Sequence, residues 1–120
     1  MRKILIFDDE PNIVMTLEYA FKKQNFEVYI ARDGSEALQI LKNNVPDVVL
    51  LDIMMPNVDG YQTLEYIKDN KMLGNTKVVF LTAKSKDTDI KKGLNLGADK
   101  YLTKPFSVKK IVSEILGLLD

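Results

Sequence analysis

Val48-Val49-Leu50-Leu51-Asp52 is the stretch on which the fold turns: four apolar residues in a row, ending in an acid. A strand that alternates polar and apolar residues leaves one face in water. An unbroken apolar run is covered on both faces and belongs to a parallel sheet. Pro46 and Asp47 mark its start. Similar runs lie on either side of it. Upstream, Lys3 to Phe7 ends in Asp8 and Asp9, and the weaker Glu27 to Ala31 ends at Arg32. Downstream, Lys77 to Leu81 ends at Thr82, and Tyr101 to Thr103 ends at Lys104-Pro105.

Between these runs the apolar spacing becomes helical. Pro11 suits a first helical position, and Ile13, Val14, Leu17, Ala20 and Phe21 follow on one stripe. Asp33 and Glu36 have the spacing of a capping box for a helix carrying Ala37, Leu38 and Leu41. Asp59 reads as the N-cap of a third helix, with Leu64, Ile67 and Met72 on its stripe and Gly74-Asn75 at its end. A polar fourth helix over residues 86–96 has only Ile90 and Leu94 as its stripe and stops at Gly97. Gly93 inside it costs about 1 kcal/mol relative to Ala, so this element is expected to be marginal and movable. Ser107 caps a fifth helix that runs through Leu119. Its Ile111, Ile115 and Leu118 are expected to face the core. Val112, Leu116 and Leu119 form an adjacent stripe suited to an interface.

Five strand–helix repeats in 120 residues predict one α/β domain spanning residues 1–120. The expected architecture is a five-stranded parallel sheet of order 2-1-3-4-5, flavodoxin-like and doubly wound, with right-handed crossovers and helices on both faces. In such sheets ligands bind beyond the carboxyl ends of the strands, where the strand order reverses. Asp8, Asp9, Asp52, Thr82 and Lys104 all fall at strand ends on that edge.

Composition narrows the chemistry. The chain is 46% hydrophobic and 28% charged, which suits a folded core and not a disordered segment. Its 17 basic and 17 acidic residues cancel, which gives no case for a general nucleic-acid or membrane surface. With no Cys and no His, the chain has no disulfide, thiolate metal site, Ser-His pair or phosphohistidine of its own. No segment reads as a signal peptide or a membrane span, and a cytoplasmic location is expected. The available chemistry is carboxylate, hydroxyl, ammonium and bound metal.

Three carboxylates gathered at one edge repel one another, and a hard divalent cation such as Mg2+ relieves that with few protein ligands. Aspartate forms acyl phosphates, which makes Asp52 a nucleophile candidate. Lys104 supplies a point charge suited to phosphate and Thr82 a hydroxyl donor. Positioning and charge neutralisation are most of what phosphoryl transfer asks of a protein.

The segments Asp8-Asp9-Glu10-Pro11, Leu51-Asp52-Ile53-Met54-Met55-Pro56 through Asp59-Gly60, Leu81-Thr82-Ala83, and Gly97-Ala98-Asp99-Lys100-Tyr101-Leu102-Thr103-Lys104-Pro105-Phe106 resemble, in order and over the whole chain, the response-regulator receiver domain of two-component signalling. The resemblance implies a phosphoprotein switch and not an enzyme, with at most self-catalysed phosphorylation and dephosphorylation. Asp52 would be the phosphoacceptor. Asp9 would bind Mg2+ directly, Asp8 mainly through water, and Asp52 and the main-chain carbonyl of Met54 would complete the metal set. Thr82 and Lys104 would contact the phosphoryl group, and Tyr101 would be the switch aromatic that turns inward with Thr82. The Lys104-Pro105 bond would be cis.

The implied partners are a sensor histidine kinase or phosphotransfer protein and an output protein or C-terminal output domain. Neither nucleic acid nor membrane is implied, while a phosphorylation-dependent dimer is. Phosphorylation would shift the surface of helix 4, strand 5 and helix 5. Glu114 and Leu116 depart from the basic residues common in one dimerising class of such domains, which weighs against that charged mode of pairing. By the same resemblance Met54 and Lys84 would flank the path of the hydrolytic water, and the bulk of Met54 predicts a long-lived phosphoryl group. The alternative from another class is a Mg2+-dependent phosphatase with an aspartate nucleophile. That chemistry needs an acid two residues after the nucleophile, where this chain has Met54. A flavin carrier would need a hydroxyl- and glycine-rich phosphate loop after strand one, and a P-loop needs a Gly-Lys-Ser/Thr motif that is missing.

Overall fold

The computed structural model describes residues 1–53 and 60–120. Five strands, β1 (Lys3–Phe7), β2 (Glu27–Ala31), β3 (Val48–Leu51), β4 (Lys77–Thr82) and β5 (Lys100–Thr103), alternate with five helices. The helices are α1 (Pro11–Lys23), α2 (Gly34–Asn43), α3 (Gly60–Asp69), α4 (Asp87–Asn95) and α5 (Val108–Leu119). A short 3-10 turn over Lys71–Leu73 follows α3. Every strand pairing is parallel, and the order is β2-β1-β3-β4-β5. This is the expected flavodoxin-like sheet.

The two-residue period of the strands divides the core between the two faces. Leu5, Phe7, Val49, Leu51, Val78 and Phe80 pack with Ala37 and Leu41 of α2 and Leu64 and Ile67 of α3. Ile4, Ile6, Val48, Leu50, Val79 and Leu81 pack with Val14, Leu17 and Phe21 of α1 and Ile111 and Ile115 of α5. All four residues of β3 are buried. That is why its sequence shows no polar alternation.

Local signals set the helix starts. Asp33 accepts a hydrogen bond from the Glu36 N–H at 3.0 Å, and Glu36 accepts one from the Arg32 N–H at 3.0 Å, so the two side chains cap α2 reciprocally. Ser107 accepts from the Lys110 N–H at 3.3 Å at the start of α5. Pro11 opens α1. The expected cap of α3, Asp59, lies outside the described residues.

Three helix assignments differ from the sequence expectation. Met72 does not extend the α3 stripe: the helix ends at Asp69, and the 3-10 turn buries Leu73 and leaves Met72 exposed. In α4, Leu94 is exposed and Gly93 is buried, because the helix approaches β5 so closely that only a residue without a side chain fits between them. In α5, Leu118 is half-buried, as are Val112, Leu116 and Leu119. All four pack against the core cluster, so Leu118 does face it as expected while the adjacent stripe is less exposed than expected, and Val112 and Leu116 also line a groove of about 800 Å³ with α1. Glu114 is engaged within the chain, where its carboxylate accepts from Lys100 Nζ at 2.6 Å. No helix among the described residues is long and apolar enough to cross a membrane.

Candidate functional site

Strand order reverses between β1 and β3, so the residues that follow these two strands share one crevice. The ladder carries each of them one step past its strand. The Asp8 N–H donates to the Ala31 carbonyl at 3.1 Å, and the Asp52 N–H donates to the Phe7 carbonyl at 3.0 Å. At the neighbouring strand pair, the Lys104 N–H donates to the Thr82 carbonyl at 2.9 Å. Backbone pairing thus sets where these side chains start. The Lys104-Pro105 bond is cis.

The ammonium of Lys104 is the centre of the crevice. Its Nζ donates to Asp8 Oδ2 at 3.0 Å, Asp52 Oδ2 at 2.9 Å and Glu10 Oε1 at 2.9 Å. The side chains of Lys104, Asp8 and Asp52 are only 11%, 4% and 7% exposed, whereas that of Glu10 is 57% exposed. Burial pushes the Asp8 carboxyl above its ordinary range, against the pull of the Glu10 N–H and of Lys104. Burial alone would lower Lys104, but its hydrogen bonds to Asp52, Glu10 and Asp8 outweigh that and hold it above the ordinary lysine range.

One carboxylate oxygen each from Asp8, Glu10 and Asp52 lies within 4.8 Å of the others. Three hard oxygen donors at that spacing, with a single ammonium against three acids, are a chemical fit for a divalent cation such as Mg2+. Asp9 is exposed, and its carboxylate is not in the converging group; it lines a neighbouring cavity with Asp8. Glu10, which the sequence reading treated only as part of the Asp8-Asp9-Glu10 run, takes the third corner. Met54 lies outside the described residues.

Thr82 ends β4 fully buried, and its Oγ1 accepts from the Lys84 N–H at 3.3 Å. One strand over, the Tyr101 hydroxyl donates to the Lys84 carbonyl at 2.7 Å. Burial, with Tyr61, Asp89 and Asp52 adding to it, pushes that hydroxyl up to about 12. The centre of the Tyr101 ring lies 5.7 Å from that of Phe80, and the Phe80 ring centre lies 5.7 Å from that of Tyr61. Lys92 Nζ sits 4.3 Å from the centre of the Tyr61 ring. A row of three rings therefore runs under α4.

Gly93 makes that row possible. A Cβ there would lie 2.8 Å from Tyr101 Cδ2 and 3.1 Å from Phe80 Cδ2. Gly93→Ala is expected to gain about 1 kcal/mol of helix propensity and to lose a similar amount by pushing the Tyr101 ring outward. Net stability in urea should change little, while the aromatic NMR shifts of Tyr101 should move. Unmoved shifts would show that the ring does not depend on the glycine.

Gly60 is constrained from the site itself. A Cβ there would lie 2.6 Å from the Asp52 carbonyl oxygen and 2.8 Å from Ile53 Cα. Both are main-chain atoms, so no rotamer change makes room. Gly60→Ala is expected to cost about 1–3 kcal/mol and to displace the Asp52 backbone. Gly117→Ala, with nothing within 4 Å of its Cβ, should gain up to about 1 kcal/mol. Urea titrations of the two variants should shift in opposite directions.

A family model described as the response regulator receiver domain matches residues 4–116. Among solved structures, the receiver domain of Francisella response regulator 1452 is 33% identical and superposes with a TM-score of 0.90, covering 99% of this chain and 97% of that one. A CheY-like response regulator receiver domain protein from Methanospirillum hungatei is 28% identical at a TM-score of 0.90, covering 100% of this chain and 94% of that one. The Thermotoga maritima response regulator DrrB, an OmpR/PhoB homolog, is 32% identical at a TM-score of 0.89; the match covers 99% of this chain but 52% of DrrB. The acid-lined switch point thus sits in a sheet that matches these domains from end to end, and the chain belongs to the response regulator receiver domain family of two-component signalling.

Proposed function

We propose that residues 1–120 work as one receiver unit, a cytoplasmic phosphoprotein switch in which Asp52 accepts a phosphoryl group. The observation that carries this reading is the buried ammonium of Lys104 bridging Asp52 and Asp8 at the sheet's switch point. In the transfer, an Asp52 carboxylate oxygen forms a bond to phosphorus as the bond from phosphorus to the donor nitrogen breaks. The nitrogen keeps the electron pair. The donor is the phosphohistidine of a sensor kinase or phosphotransfer protein, since this chain has no His. Lys104 and Thr82 take the phosphoryl oxygens, through an ammonium and a hydroxyl.

Asp8 and Asp52 would hold Mg2+, with Asp9 and the main-chain carbonyl of Met54 as the further ligands that the family resemblance implies; Glu10, the third acid of the converging group, stays on Lys104 in this reading of the resting domain. The ion, when bound, offsets the negative charge of the acids and of the phosphoryl group. The phosphorylated state is the signal. Thr82 and Tyr101 meet at the main chain of Lys84, so a shift of Thr82 toward phosphate is felt by the ring packed on α4. That surface, with β5 and α5, faces an output protein or an attached output domain, or a second copy of the phosphorylated chain. The family match lends no support to the phosphatase alternative.

The test is intact mass after incubation with Mg2+ and phosphoramidate. The expected result is uptake of one phosphoryl group, lost when EDTA replaces Mg2+ and mapped to the peptide containing Asp52. Uptake mapped elsewhere, or none, would overturn the reading.

A further inference from the structure

A lysine ammonium has three N–H donors, and in this structure all three of those on Lys104 are taken, by Asp8, Glu10 and Asp52. A phosphoryl oxygen on Asp52 gains Lys104 only by displacing one of these acceptors. They are not equally held. Asp8 and Asp52 are buried, and a buried carboxylate that loses its partner gains no water in exchange. Glu10 is the exposed member, so its carboxylate is rehydrated on release. Its main chain need not move either, because the Glu10 N–H stays bonded to Asp8 Oδ1 at 3.0 Å. Glu10 is the cheapest of the three to let go.

We propose that Glu10 is a positioning residue that occupies the third donor of Lys104 in the resting domain and competes with the phosphoryl group for it. This rests on the reading that Asp52 accepts phosphate. Glu10 then acts as a brake. It occupies an N–H of the ammonium, and its charge opposes the approach of an anionic phosphoryl group. Removing that charge leaves Lys104 its two buried acids and weakens its third hydrogen bond from charge-assisted to neutral, so that a phosphoryl oxygen displaces it more readily. Because the Glu10 side of the pair is exposed, the effect is modest.

The experiment compares wild type with Glu10→Gln, which keeps the side-chain length and removes the charge. Phosphate uptake from phosphoramidate is followed by intact mass across a Mg2+ titration. At saturating Mg2+ the variant is expected to be phosphorylated about two- to fivefold faster, as fits a partly exposed ion pair. In a second arm, the metal-free proteins are labelled with acetic anhydride and mapped by peptide mass. Labelling of Lys104 should rise in the variant, with the other lysines unchanged, because one carboxylate no longer holds its ammonium. Equal saturated rates, a change only in the Mg2+ concentration required, or unchanged labelling of Lys104 would each overturn the proposal. A wild type that takes up no phosphate would instead overturn the assignment of Asp52, and the brake with it.

Discussion

Asp52→Asn is expected to abolish phosphate uptake from phosphoramidate while leaving the domain folded. The amide oxygen is a poor nucleophile, so no acyl phosphate forms. Stability should not fall with it. Three carboxylates surround one ammonium in the wild type, and removing one of them relieves repulsion among the rest. Lys104 keeps Asp8 and Glu10 as acceptors. The Asp52 N–H keeps the Phe7 carbonyl, because that bond is main chain. The expected change in unfolding free energy is small, because Lys104 keeps two carboxylate acceptors and the repulsion among three acids is relieved. Intact mass and a urea titration on the same sample separate the two effects. A variant that still takes up phosphate at the wild-type rate would show that another residue is the acceptor.

Lys104→Ala should behave in the opposite way, with a large loss of stability. Its ammonium donates to both buried acids, Asp8 and Asp52. Leaving buried charges without their partner is among the costlier single changes, here on the order of 3 kcal/mol at neutral pH. Two conditions should shrink the deficit. Mg2+ should do so by binding the folded state, which stabilises it by mass action. Lower pH should do so as well. Asp8 already holds its proton more tightly in the folded state than its ordinary value of 3.8 implies, and Lys104 opposes that shift. Without Lys104 the folded-state value rises further. The contribution of such a group is most favourable below 3.8 and is lost as pH rises through the folded value. The gap between variant and wild type should therefore be widest at neutral pH and narrow toward pH 4. Urea titrations in EDTA and in Mg2+, at both pH values, check this. A deficit that grew on acidification would show that the acids are not what the lysine compensates.

These effects divide between what could be read along the chain and what could not. The strands and helices were legible because burial on both faces leaves an unbroken apolar run, as in Val48-Val49-Leu50-Leu51, and because α1, α2 and α5 keep a helical stripe. Where burial depends on how close a neighbour comes, the pattern misled. Leu94 looked like the inward residue of α4, yet Gly93 is the one buried against Tyr101. A glycine that reads as a weak point in an isolated helix is the residue that lets this helix lie on an aromatic ring. Met72 looked like a continuation of α3, but a change to 3-10 winding turned Leu73 inward instead.

The site divides in the same way. Sequence by itself determined that acids, a hydroxyl and a lysine end the strands of a parallel sheet, because strand ends and strand order follow from local pattern and from chain crossover rules. It could not rank Asp8, Asp9 and Glu10, three acids in a row after β1. That ranking is tertiary. The Asp8 main chain is held by the Ala31 carbonyl at the sheet edge, Asp9 is exposed and lies outside the converging group, and the side chain of Glu10 reaches Lys104 from the far end of the chain. Ninety-four positions separate Glu10 from Lys104, and no local pattern encodes a contact across that span. Only the pairing of β1 with β3, β3 with β4 and β4 with β5 brings each of those carboxylates within 3.0 Å of that ammonium.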